Sequence, residues 1–208
     1  MQRRCRHDLP LAYDSSLELS VVIEREGYMT HPYQGVPITW QLAACIALAI
    51  MLVALGRYMK EQAEPLEAKL PNGVLDLESP WSSQTAADML SLLEREGIKI
   101  ARRQILLDYA LLVLYPLLIS LLCAMLADRL QGKIALIGVM TAWGVLLSGP
   151  LDAIENSAIL QMLAGKTAAP WPQLATISAT LKFTLILGGA AFIAIGLVLA
   201  VVARVKAH

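Results

Sequence analysis

Apolar residues in this chain are gathered into four long runs separated by polar stretches. The first, Ile38 to Gly56, carries no charge and ends at Arg57. The second, Ile105 to Ala127, holds one charge, Asp108, near its start. The third runs from Ile134 to about Leu163; it is too long for one straight crossing and is interrupted at Ser148-Gly149-Pro150. The fourth, Ile177 to Ala203, is apolar apart from Lys182 and is followed by Arg204. A hydrocarbon layer about 30 Å thick needs roughly 20 mostly apolar residues at about 1.5 Å each, so every run is long enough to cross it. A spanning segment must satisfy its own backbone, and no run alternates like a barrel strand. The pattern predicts an all-α integral membrane protein, a four-transmembrane-helix bundle.

The polar stretches are few. Residues 1–37 form a mixed, poorly patterned N-terminal arm. Within it, Glu26-Gly27-Tyr28 ahead of Met29 reads as a translated ribosome-binding stretch, which makes Met29 the expected natural start. The first span is not read as a cleaved signal, because no basic residue precedes it between Thr30 and Thr39 and Arg57-Tyr58 follows it directly. Residues 57–104 form the one sizeable extramembrane loop. Its opening is charged and proline-containing, Val74 to Glu78 alternates like a short strand, and Ser82 or Ser83 is placed to cap a helix. From about 83 to 103, Ala86, Met89, Leu90, Leu93, Gly97 and Ile100 recur at helical spacing. They predict an amphipathic helix lying on the bilayer surface or on protein. The other connections, Asp128 to Lys133 and Ala164 to Thr176, are short.

Composition narrows the chemistry. Of 208 residues, 57% are hydrophobic and 16% charged, against about 25% charged in an ordinary soluble domain. The 17 basic and 17 acidic residues cancel, which removes the electrostatic case for a nucleic-acid partner. Three cysteines cannot build a disulfide framework; Cys45 and Cys123 lie within spans and read as small packing residues. The three histidines all fall outside the spans, so neither a metal nor any other cofactor is predicted. Four spans put both termini on one membrane side. Where residues 1–28 belong to the protein, Arg3, Arg4 and Arg6 favour that side being inside, in the inner (plasma) membrane; basic residues flank the spans on both sides.

Threading the spans gathers polar residues in one leaflet. On the side of the 57–104 loop, the first span ends at Arg57 and the second begins with Asp108, Tyr109 and Tyr115. The third returns with Asp152, Glu155 and Asn156, and the fourth begins with Lys182. Asp152, Glu155, Asn156 and Ile159 share one helical face at i, i+3, i+4 and i+7; Asp108 and Tyr115 share another, as do Lys182, Gly189 and Gly196. A charge facing lipid costs at least about 2.5–3.5 kcal/mol, so these groups are expected to face inward and pair. Two cations against three acids leave one carboxylate protonated, solvated or bound to a cation. Three readings stay open: a polar clamp that fixes helix register, a ligand, ion or proton site, and a catalytic centre whose acting residues are unknown. The break before Asp152 reads either as a simple proline kink or as a discontinuous helix of the kind that binds charged solutes.

Asp108-Tyr109 followed by Tyr115, and Asp152-Ala153-Ile154-Glu155-Asn156 in the next span, resemble motifs of a family of uncharacterised small bacterial four-helix inner-membrane proteins. These show a D-[FY]…Y opening to one span and D-x-x-E-N in the next, with an extramembrane loop that has a short strand and an amphipathic helix, like Pro71 to Glu96 here. The resemblance covers about residues 38–205 and implies membership and topology, without an activity. Three functions follow for testing. One is a membrane protein binding a cation, proton, polar lipid or small ligand in the cluster. Another is a non-catalytic assembly subunit docking a larger membrane partner or a second copy. The third is a small membrane enzyme acting on a lipid-like substrate with Asp152 or Glu155 as acid or base.

Overall fold

The computed structural model describes residues 30–67, 70, 75–80 and 82–206. The arm before Thr30, including the expected start at Met29, lies outside the described residues. Six helices follow in order: α1 (Ile38–Glu67), α2 (Leu75–Glu78), α3 (Ser83–Ala127), α4 (Gly132–Leu146), α5 (Ser148–Leu163) and α6 (Trp171–Lys206). Among the described residues there is no strand, and four helical stretches are long and apolar enough to cross a membrane. Those four are α1, α3, α4 with α5, and α6.

The helices run past the apolar limits because the polar flanks are themselves good helix formers. At 30 and 45 residues, α1 and α3 extend for about 45 Å and 68 Å, well beyond a bilayer core. Both project on the loop face, where they clasp each other. Gln104 donates to the Met59 carbonyl (2.9 Å), and Arg103 reaches Gln62 Oε1 (3.0 Å) and the Tyr58 hydroxyl (2.5 Å). The amphipathic segment and the second span follow one another in α3, two helical pieces joined at a kink and started by Ser82, whose hydroxyl accepts the Thr85 N–H. One non-helical residue interrupts it. Glu94 sits at φ 48°, ψ 179°, a conformation that costs about 1–3 kcal/mol and needs firm surroundings. Fully buried Leu93 and Gly97 flank it.

The amphipathic stripe lies on protein. Ala86, Leu93, Ala101 and Ile105 of α3 join Leu66, Leu70, Leu77, Ala158, Ile159, Met162 and Ala175 in one buried cluster. This cluster joins the loop to the ends of α5 and α6, so the loop face carries a small apolar cap. The expected strand at 74–78 is instead the one-turn helix α2, over Leu75–Glu78. Its alternation buries Leu77 fully in the cap. A single alternating stretch with no partner strand to pair with lends itself equally to a helical turn.

The third span bends without unwinding. Leu147, between α4 and α5, keeps helical angles (φ −70°, ψ −16°), and the Leu151 N–H still reaches the Leu147 carbonyl at 3.2 Å. Pro150 removes one backbone donor, and the Ser148 hydroxyl bonds the Val145 carbonyl (2.6 Å). The backbone stays helical through the interruption, in keeping with the proline-kink reading. At the kink α5 approaches α3 so closely that a Cβ on Gly149 would lie 2.8 Å from the Leu112 carbonyl oxygen.

Packing within the bundle is uneven. Helices α3, α4–α5 and α6 touch one another, whereas α1 contacts only α3 among the described helices. On the face opposite the loop, residues 30–37 fold back over the bundle. His31 Nδ1 accepts the Tyr33 N–H (3.1 Å), which leaves Nε2–H to meet Asp128 Oδ1 at 3.1 Å. Trp143 donates to the Thr30 carbonyl (2.9 Å). The poor patterning of the arm gave no sign of this docking.

Candidate functional site: a buried lysine among carboxylates

Lysine 182 is the hub. Its α6 backbone position faces α5, and its side chain is almost wholly buried, 6% exposed. The ammonium lies 2.9 Å from Asp152 Oδ1, 2.9 Å from Glu155 Oε1 and 2.8 Å from Glu155 Oε2. A third carboxylate, Glu78 of α2, approaches to 3.7 Å. The i, i+3 spacing of Asp152 and Glu155 on α5 puts both acids on the face that α6 covers. Ile159 continues that face into the cap and is fully buried.

The second span completes the centre. The Tyr115 hydroxyl donates to Asp152 Oδ2 at 2.9 Å, so Asp152 is held at both oxygens, by a phenol and an ammonium. One turn away, Asn156 Nδ2 donates to Asp108 Oδ2 at 2.7 Å. Tyr115, Asp152, Glu155 and Lys182 therefore form one connected group across three spans, and Asp108 and Asn156 pair beside it. Gly189, a turn and three residues beyond Lys182 on the same face, lets α6 approach closely. A Cβ there would lie 2.7 Å from the Ile119 side chain and 2.8 Å from that of Val145.

Two expected members stand apart. Tyr109 turns to Ser157 on the exposed side of the α3–α5 contact, with the hydroxyls 3.0 Å apart. It is adjacent in sequence to Asp108, and neighbouring helix positions point about 100° apart. Arg57 is exposed and joins the centre through no contact among the described residues. It sits on α1, which packs against α3 alone, so it is on the wrong helix to reach α5 or α6. The pairing of two cations with three acids is thereby corrected to one cation.

Glu78 takes the place that Arg57 was expected to fill, with the opposite charge. Sequence spacing gave no signal for it, since its place is set by the burial of Leu77 beside it. A short apolar–acidic alternation in a cap over a polar centre sends one side chain to the apolar core and its neighbour toward the charges. Glu78 lies outside the membrane-spanning segments and is mostly buried, 15% exposed. Burial pushes its carboxyl up from 4.5 to about 7, Lys182 opposes that rise, and Asp108 and Asp152 add to it; a hydrogen bond with Glu155 also opposes it.

Three carboxyl groups are thus set around one ammonium in a water-poor interior, with a fourth, Asp108, held by Asn156 beside them. All four cannot be ionised together without leaving an uncompensated negative charge where charge is most costly. Glu78 Oε2 is buried with no hydrogen-bond partner, 3.7 Å from the ammonium, whereas Glu155 Oε2 is ion-paired with it at 2.8 Å. Chemically the arrangement accepts positive charge. Among the described residues, no group of three or more His, Cys, Asp or Glu side chains is placed to hold a metal ion. No family model matches this chain, and no curated protein or solved structure shows detectable similarity to it.

Proposed function

We propose that this multi-pass membrane protein binds a small positively charged species, a proton or monovalent cation, at the Lys182 centre. The observation that carries the reading is the gathering of Glu78, Asp152 and Glu155 about a single ammonium within the helix bundle. A clamp serving only helix register needs equal numbers of opposite charges, and a surplus of acids weakens it. The surplus supports a site whose charge is completed by something bound.

The test is the thermal midpoint of the detergent-purified protein, scanned from pH 5 to pH 9 and with added Na⁺, K⁺ or ammonium. Native protein is expected to respond to pH or to one of these cations. Asp152→Asn and Glu155→Gln stay helical and flatten the response. A native midpoint indifferent to both pH and cations overturns the reading.

A second reading, an assembly subunit, draws support from α1, whose large apolar side chains Trp40, Ile46, Ile50 and Val53 are exposed. It predicts co-purification with a larger membrane partner or a second copy in gentle detergent. It also predicts tolerance of neutral substitutions throughout the cluster when they are made together. Placement in the inner membrane with termini inside, and membership of the D-x-x-E-N family, belong to the same proposal. Their support is the four spans, the basic residues of the arm and the order of the motifs.

A further inference from the structure

We infer that the species bound is a single proton shared between the carboxyl groups of Glu78 and Glu155, exchanged with water on the loop face through α2. The inference rests on the cation-site reading above and names its ligand.

Geometry carries it. Glu78 Oε2 is buried without a hydrogen-bond partner, 3.7 Å from the Lys182 ammonium that Glu155 Oε2 meets at 2.8 Å, so the two carboxyl groups converge on one nitrogen. Two carboxylates brought together in a dry interior repel; one proton between them converts the repulsion into an O–H···O⁻ hydrogen bond. The O–H of one acid then donates to the carboxylate oxygen of the other, and the Lys182 ammonium faces the remaining negative charge. Loss of the proton to water leaves both acids ionised and the centre one charge more negative.

The other acids are differently engaged. Asp152 is occupied by Tyr115 and Lys182, and Asp108 by Asn156. The groups facing Glu78 are Lys182 of α6, Glu155 and Asp152 of α5 and Asp108 of α3; Asp76 lies on its own helix. A metal ion is the poorer candidate, since it needs a convergent donor set that the described residues do not form.

Position gives the route. Glu155 is fully buried within a span, whereas Glu78 is carried by the four-residue helix α2 in the loop between the first two spans. Of the pair, Glu78 is the one carried outside the membrane-spanning helices.

Infrared titration of the full-length protein in nanodiscs tests this through the carbonyl stretch of protonated carboxyl groups. Native protein should show one such band, lost only as pH rises above the ordinary carboxylate range, because burial favours the protonated form. Glu78→Gln and Glu155→Gln should each remove the whole band, because either amide donates to the remaining carboxylate in the proton's place. Exposed Glu96→Gln is the control and leaves it intact. Should Glu155→Gln fail to fold, Glu78→Gln decides alone, since it alters only the loop. A native-sized band in either folded variant, or half the band removed by each, overturns the shared proton. A native protein without this band but with a cation-dependent thermal midpoint also overturns it while leaving the cation-site reading standing. With neither response, both fall.

Discussion

Replacing Lys182 with methionine removes the positive partner of a buried network while keeping the length and apolar stem of the side chain. The ammonium lies 2.8–2.9 Å from Asp152 and Glu155 and is nearly free of solvent. Breaking a buried ion pair from one side typically costs about 3–5 kcal/mol, because the surviving charge is left uncompensated. Two carboxylates lose their partner here, and Asp152 alone keeps a second donor, Tyr115. The expected loss at pH 8 is therefore in the upper part of that range, about 4–5 kcal/mol. Orphaned acids can escape by taking up protons, at about 1.4 kcal/mol per pH unit, so the loss should shrink toward pH 5. The assay is equilibrium unfolding in mixed micelles of increasing SDS fraction, followed by helical circular dichroism at both pH values. Adding Asp152→Asn and Glu155→Gln to Lys182→Met removes the unpaired charges and should recover most of the stability. The reasoning is refuted if Lys182→Met alone stays within about 0.5 kcal/mol of native at pH 8, the ordinary range for a surface substitution.

Tyr115→Phe deletes the 2.9 Å donor to Asp152 and leaves a buried oxygen short of a partner; the same unfolding assay should read a loss of about 1.5–3 kcal/mol. Gly149→Ala places a methyl 2.8 Å from the Leu112 carbonyl oxygen, a backbone atom that cannot rotate away. Overpacking of this kind costs about 1–3 kcal/mol, and native-like stability in Gly149→Ala would contradict the close α3–α5 approach. The docking of α2 should weaken as pH rises. Glu78 binds its proton more tightly docked (about 7) than free (4.5), so docking is strongest below pH 4.5 and loses on the order of 3 kcal/mol by pH 8. Hydrogen exchange over residues 75–80, corrected for intrinsic rates, should show lower protection at pH 8 than at pH 5, and Glu78→Gln should abolish the difference.

Run length and helical spacing were enough to read four crossings, the shared face of Asp152, Glu155 and Asn156, and the meeting of Lys182 with those acids. Lipid penalises outward charge so heavily that the inward face follows from sequence position alone. What the pattern could not convey was lateral arrangement. Arg57 stands at the right depth, but depth says nothing of which helix neighbours which, and α1 packs only on α3. Tyr109 failed for a related reason, since one residue of helical rotation carried it from the centre to Ser157. The Ser148-Gly149-Pro150 break was visible in sequence; whether it unwinds depends on Ser148 supplying a hydrogen bond at the kink, which only coordinates reveal. Glu78 was hidden because α2 is placed by tertiary burial of Leu77, a long-range effect that outweighs the local alternation.

The account depends on Lys182 being a charged, water-shielded ammonium held by carboxylates between the helices. Nitrogen-15 NMR of the lysine side chains in detergent-solubilised protein reads this directly. One ammonium signal, absent from Lys182→Arg, should exchange its protons with water far more slowly than the others and should shift in Glu155→Gln. If every lysine ammonium exchanges at the rate of a solvated side chain, no such centre exists inside the bundle.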